Sequence, residues 1–240
     1  MAASARPESA ARFFFEWLKV IVFAFVLWMF LRTFVVEAFR IPSGSMKNTL
    51  LVGDVLFVNK LIYGVEIPFI HKRLPEVREP RRGDILVFDS IEEEMQNMKI
   101  VKRLIGIPGD TLEMRAGVVF LDGRQLDEPY AINSNPREGT DPLARARMRD
   151  WQVKHFAGPI PSNYFPDVHH WGPIVVPHDS LFVMGDNRDD SNDGRFWGFL
   201  PRDSVYGRPM LVYFSYNGES WDRFAFLTQI RWKRLFTVPR

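Results

Sequence analysis

The chain has 240 residues, with 31 Lys+Arg against 29 Asp+Glu (a formal charge of +2), five His and no Cys. That length supports one or two domains with a real core, and 46% apolar with 25% charged residues excludes wholesale disorder. Near-balanced charge argues against a dedicated nucleic-acid binder. The absence of cysteine excludes a disulfide scaffold, thiolate catalysis and Cys-based zinc sites, while leaving the redox compartment open.

Many of the 21 Phe crowd the N-terminal end, where residues 13–31 carry only two charges, Glu16 and Lys19. The uninterrupted apolar run, residues 20–31, would rise only about 18 Å as a helix, short of a bilayer core of about 30 Å. Extended to residues 17–36 it spans, with Lys19 and Arg32 snorkelling at its ends. This reads as a membrane anchor, with two alternatives. A signal peptide would use Arg6 and Arg12 as its basic region and Val36-Glu37-Ala38 as its cleavage site. A buried core helix is the third reading. Charge does not orient the span, since Arg6, Arg12 and Lys19 on one side match Arg32, Arg40 and Lys47 on the other.

Beyond Arg40, short β-branched and aromatic runs alternate with Gly, Pro and Asp, which predicts an all-β region. Expected strands are residues 54–59, 84–88, 99–105, 118–121, 180–184 and 210–214, with a type I′ hairpin turn at Asp122-Gly123. Residues 128–177 are rich in Pro, Gly, Asn and His without clear periodicity, and read as an insertion in the β-core. Residues 221–236 mix Phe, Leu and Trp with Arg231, Lys233 and Arg234. They fit either an amphipathic helix on a membrane surface or a terminal helix docked on the sheet.

Three segments carry chemistry. In Ile41-Pro42-Ser43-Gly44-Ser45-Met46, proline fixes the backbone and glycine permits a sharp turn that can hold the second serine exposed; alone it is also an ordinary turn. In residues 99–106, strand alternation puts Ile100, Lys102 and Leu104 on one face. Either that face is solvated, or Lys102 is buried and loses its proton. At a pKa of about 10.4, under ~0.1% of lysines are neutral at pH 7, and a pKa of about 8 requires roughly 3 kcal/mol of desolvation. The third segment, residues 185–195, is a dense polar loop that partly imitates a calcium loop. Leu200 stands where the bidentate Glu belongs, and the adjacent His169-His170 lack metal-site spacing, so no metal is expected. No Gly-x-Ser-x-Gly elbow supports a Ser-His-Asp triad.

Taken together these segments closely resemble the type I signal peptidases of bacteria. Residues 41–54 match the family's serine box, Arg82-Gly83-Asp84-Ile85-Leu86-Val87-Phe88 a structural box, and residues 102–110 its lysine box. Residues 185–198 match its last box, so the likeness runs in order from Phe39 to Pro201. Asn48 stands where the family usually has proline, which is expected to loosen a turn.

The resemblance implies a membrane-anchored Ser/Lys-dyad serine endopeptidase that removes signal peptides from exported preproteins, without cofactors or nucleic acid. Ser45 would be the nucleophile and neutral Lys102 the general base, with the Ser45 amide and Ser43 hydroxyl as oxyanion hole. Ser191 would orient the lysine, with Asp186, Asp193 and Arg195 bracing the loop behind it. Phe39, Ile41, Leu50 and Val101 would line shallow pockets for small residues one and three positions before the cut. The implied fold is mostly β. A cytoplasmic segment (1–16) and one transmembrane helix (17–38) precede a catalytic β-core (39–110 and 179–217), into which a smaller β-subdomain (111–178) is inserted; a basic amphipathic segment (218–240) follows. The implied location is the bacterial inner membrane, single-pass, with the catalytic domain on the outer side and in contact with lipid. Two other readings are a self-cleaving SOS-repressor-like Ser/Lys protein, which would carry a DNA-binding domain instead of an apolar helix, and a catalytically silent membrane-anchored binding protein.

Overall fold

Ala10–Phe30, without Pro or Gly, forms helix α1. In this computed structural model, which describes residues 10–64, 66–67, 72–92, 95, 98–133 and 141–240, the 19-residue span Arg12–Phe30 is long and apolar enough to cross a bilayer and none of it is buried. That exposure removes the buried-core-helix reading. Past Arg12 at its start, the charges inside it, Glu16 and Lys19, pair at 3.1 Å one turn apart. Of the segment expected to be cytoplasmic, 1–16, residues 1–9 lie outside the described residues and 10–16 form the first turns of α1.

A five-residue π-helical turn, Leu31–Val35, leads without a linker into strand β1, Val36–Arg40. The helical part of the expected span therefore stops short of residue 38. Residues 36–38 are extended, Val36 pairing with Asn59 and Ala38 with Phe57 of the next strand, β2 (Asp54–Asn59). The junction is bolted: Lys60, 5% exposed, donates its ammonium to the Arg32 carbonyl at 2.9 Å and to Glu37 at 3.3 Å, and Glu37 also accepts the Tyr206 hydroxyl.

The remaining strands follow the alternation in the sequence. The short pair β3 (Glu66–Ile67) and β4 (Lys72–Arg73) stands apart. Next come β5 (Ile85–Asp89), β6 (Lys99–Gly106), β7 (Thr111–Arg115), β8 (Val118–Leu121) and β9 (Arg124–Gln125). After helix α2 (Pro142–Gln152) follow β10 (Trp171–Val175), β11 (Ser180–Met184), the short helix α3 (Gly194–Trp197), β12 (Leu200–Pro201) and β13 (Val205–Ser215). All pairings between these strands are antiparallel. Seven strands form one sheet in the order β1-β2-β13-β5-β6-β11-β12, and four form another in the order β10-β7-β8-β9. Asp122 and Gly123 turn between β8 and β9 with φ of 48° and 77°, as a type I′ turn requires.

Under the seven-stranded sheet, Met46, Leu50, Leu56, Val58, Ile85, Val87 and Val212 form one buried cluster. A second cluster joins the two sheets, Ile105, Phe182 and Met184 packing with Leu112, Met114 and Trp171. Helix α2 lies in the stretch expected to be irregular; its start is written in Asp141-Pro142, the Asp side chain accepting from Ala144 N at 3.1 Å with proline in the first turn. Residues 221–236 hold no long helix. A four-residue helix, α4 (Ala225–Thr228), precedes irregular chain that docks on β13 through bridges from Ile230 to Tyr216 and Thr237 to Val212.

Candidate active site

Ser45 lies in a single helical turn, Gly44–Met46, entered from an extended Ser43. The turn is held from behind. Met46 and Leu50, 1% and 0% exposed, sink into the core, while Leu50 N bonds Met46 O at 2.8 Å. Ser43 and Ser45 stay at the surface with their hydroxyls 3.4 Å apart. Asn48 does not loosen this loop. Its φ of 94° is one that proline cannot adopt, and its amide donates to the Tyr130 carbonyl at 3.0 Å, tying the loop to a distant segment.

Lys102 is 4% exposed, which decides the question its strand left open. Burial drives its pKa down to about 8; Asp193 pulls it back up, Arg195 opposes that, and Asp190 and Asp186 raise it more weakly. At about 8, roughly a tenth of the molecules carry a neutral amine at pH 7, instead of about 0.03% at the ordinary value. Lys102 and Ser45 line one cavity of about 320 Å³, together with Ser43, Phe39, Ile41 and Val101. Met95, Met98, Asp190 and Asn192 complete its wall, none of them legible as such in the sequence. Leu50, expected in that wall, is instead wholly buried one layer below it. A larger cavity of about 600 Å³ lies beyond residues 190–192, but neither Ser45 nor Lys102 reaches it.

The polar loop after β11 is turned inward. Asp193 accepts from Gly185 N at 2.9 Å and from Arg195 Nε and Nη2 at 2.9 and 3.0 Å. Burial alone would raise the Asp193 pKa, but the Arg195 charge and these hydrogen bonds hold it well below the usual carboxylate range. Asp186 faces Arg103 at 2.8 and 2.7 Å and accepts the Thr49 hydroxyl at 2.5 Å. Both carboxylates thus serve guanidinium groups. Asn187 ties the loop to the Ser45 turn, its backbone N to Ser45 O at 3.0 Å and its side chain to Gly44 O at 3.2 Å.

Gly185 sits where the two loops touch. A Cβ there would overlap both the Ser191 side chain and the Ser45 carbonyl, so only glycine lets them meet. Ser191 Oγ is buried without a hydrogen-bond partner among the described residues. The sequence reading missed Gly185, Thr49 and Arg103. Of these, Arg103 carried the one available signal, a second basic residue beside Lys102 whose side chain falls on the opposite face of the strand.

A family model described as "Signal peptidase, peptidase S26" matches residues 14–214. Signal peptidase I of Pseudomonas fluorescens is 36% identical over 200 residues, covering 78% of this chain and 67% of that protein. The Leptolyngbya laminosa enzyme of the same name is 36% identical over 207 residues, 84% of this chain and 80% of its own. That of Bacillus licheniformis is 33% identical over 204 residues, 85% and 90% of the two chains.

Proposed function

The chain belongs to the signal peptidase family, peptidase S26, and on that premise we propose that Ser45 and Lys102 are the dyad with which this serine peptidase removes signal peptides. The observation that carries the reading is the nearly inaccessible Lys102 amine, its pKa lowered to about 8, lining the same cavity as the surface hydroxyl of Ser45. Neutral Lys102 takes the Ser45 proton as Oγ attacks the scissile carbonyl. The Ser45 N–H and the Ser43 hydroxyl stabilise the oxyanion, a contribution of about 3–4 kcal/mol per donor. Lys102 then passes the proton to the departing amine, and an acyl-enzyme remains on Ser45. A water, deprotonated by Lys102, attacks that ester and frees the signal peptide and Ser45. Gly185 gives Ser191 its place beside this pair, while Asp186, Asp193 and Arg195 keep the loop folded behind them.

Signal-peptide-bearing preproteins are the substrates, and the chain is membrane-anchored through α1. The finer placement is our reading: the inner membrane, a single pass, the β-structure on the outer side. Residues 39–110 with 179–217 form the catalytic core and 111–178 the insertion. This division puts the seven-stranded sheet, apart from the first strand residues, in the former and the four-stranded sheet in the latter. Contact with lipid is supported by the fully exposed Trp221 and by Phe224, Trp232 and Phe236, which lie open in residues 218–240.

A shallow cavity walled by Ile41 and Val101 excludes bulky side chains by clash. The test is a preprotein panel in which Ala before the cut becomes Gly, Ser, Leu, Phe or Lys, read by product mass. Cutting after the small residues and not the large ones is expected; efficient cutting after Leu, Phe or Lys sinks the reading.

A further inference from the structure

Segment 230–240 reaches both halves of the proposed site from behind. The serine loop is closed at its neck by Asp54, whose carbonyl accepts from Ile41 N at 2.8 Å while Gly53 N bonds Ile41 O at 3.0 Å. The wholly buried Asp54 carboxylate takes Leu51 N at 2.9 Å and Ser215 Oγ at 2.7 Å, and its remaining capacity goes to Arg234, with Nε at 3.0 Å and Nη2 at 2.5 Å. The same Nη2 donates to the Thr49 carbonyl at 2.9 Å. Thr49 is in turn gripped from the other side, its hydroxyl donating to Asp186 and accepting from Arg103 at 3.2 Å. Arg103, next to Lys102 in β6, also donates to the Arg240 carbonyl at 3.2 Å. One short segment therefore ties the serine loop to the strand that carries the lysine.

We propose that segment 230–240 is a positioning element for the reaction, with Arg234 the positioning residue that sets the serine loop against the lysine strand through Asp54 and Thr49. The inference rests on the dyad reading. Arg234 is absent from the wall of the serine cavity, so its loss should spoil alignment without weakening substrate binding. A misplacement of about 1 Å costs up to ~10²-fold in rate.

The experiment measures kcat and KM for the full chain in detergent on one preprotein, at a temperature where circular dichroism shows each variant folded. Arg234→Gln should lower kcat roughly 10- to 100-fold with KM within about twofold. Arg234→Lys, which keeps a cation at Asp54 but not both contacts, should recover part of the loss and serves if the Gln variant does not fold. Asp222→Asn disturbs bonds just outside the segment, from Thr228 Oγ1 at 2.6 Å and Phe224 N at 2.9 Å, and should leave kcat near the parent value. Parent-like kcat in either Arg234 variant overturns the proposal, as does an equal loss in Asp222→Asn, which would mean docking alone. Lys102→Met in the same assay separates the two readings. If it is dead while Arg234→Gln is unimpaired, only the positioning role falls; if it is active, the dyad falls.

Discussion

Residues 42–47 and residues 185–195 touch at Gly185, and they handle polar side chains in opposite ways. In the first, Ser43 and Ser45 face outward and bond little beyond each other, while apolar Met46 and Leu50 fix the loop from beneath. In the second, Asp186, Arg188, Asp193 and Arg195 are all turned inward, each charge matched by an opposite one, with Arg188 closing on Glu128. A nucleophile has to be reachable, so its loop takes rigidity from neighbours. The second loop lends only Asp190 and Asn192 to the cavity wall, and buried ion pairs hold it rigid behind them. The two should therefore fail differently when mutated: the outward loop in rate, the inward loop in stability.

The largest expected effect tests the outward loop. Ser45→Ala should lower kcat/KM by at least about 10⁴-fold while costing under ~1 kcal/mol in stability, since only one weak hydroxyl contact is lost. Lys102→Arg should be equally inactive, because a guanidinium stays protonated. Steady-state kinetics beside denaturant titrations read both quantities, and a Ser45→Ala protein that unfolds easily would break the contrast.

Next comes the inward loop. Asp193→Ala strands the Arg195 guanidinium, 1% exposed, without its partner, and should cost about 3–5 kcal/mol. The urea midpoint measures this; a loss below ~1 kcal/mol would show that the pair contributes little to holding the loop.

The smallest effect sharpens the comparison at Lys102, the buried charge to which the proposal gives a chemical role. The folded-state pKa of Lys102, about 8, lies below its ordinary 10.5. The unfolded chain therefore binds more protons between those values, and wild-type stability rises with pH through that window. Below about pH 8 the burial costs the wild type about 3 kcal/mol. Lys102→Met should be more stable by about that much at pH 6, with the gap closing toward pH 10.5 and activity gone at every pH. In the wild type, kcat/KM should rise through an acid limb near pH 8. A limb near 6.5 that vanishes with a histidine substitution would move the base elsewhere.

Much of this was legible in the sequence because it is local. The strands at 54–59, 118–121 and 180–184 follow from alternation and β-branched residues, and the Asp122-Gly123 turn from two positions that accept positive φ. Ser43, Ser45 and Lys102 were identifiable as chemistry, but that Lys102 is buried depends on which elements cover its face, which no window of residues encodes. That Leu50 is wholly buried depends on its neighbours in the same way. Asn48 was misread because its effect depends on a φ and on a carbonyl 82 residues away. Composition alone made residues 185–195 only partly imitate a calcium loop; that Asp186 meets Arg103, a residue of another strand, is a contact no local window encodes. Segment 230–240 had composition but no period, and the contacts of Arg234 with Asp54 and Thr49 are made about 180 residues back along the chain.

The bolt of Lys60 on the Arg32 carbonyl leaves no slack between membrane and sheet. From Val36 to Ser45 is nine residues, which would reach about 30 Å even if fully stretched, and the pairing of β1 with β2 takes up part of that. A flexible tether of n residues would let the site wander over roughly 5–6 Å × √n. On the proposed reading this one acts as a depth gauge, presenting Ser45 at one height above the lipid. A peptide bond held much farther out goes uncut however well its side chains would fit.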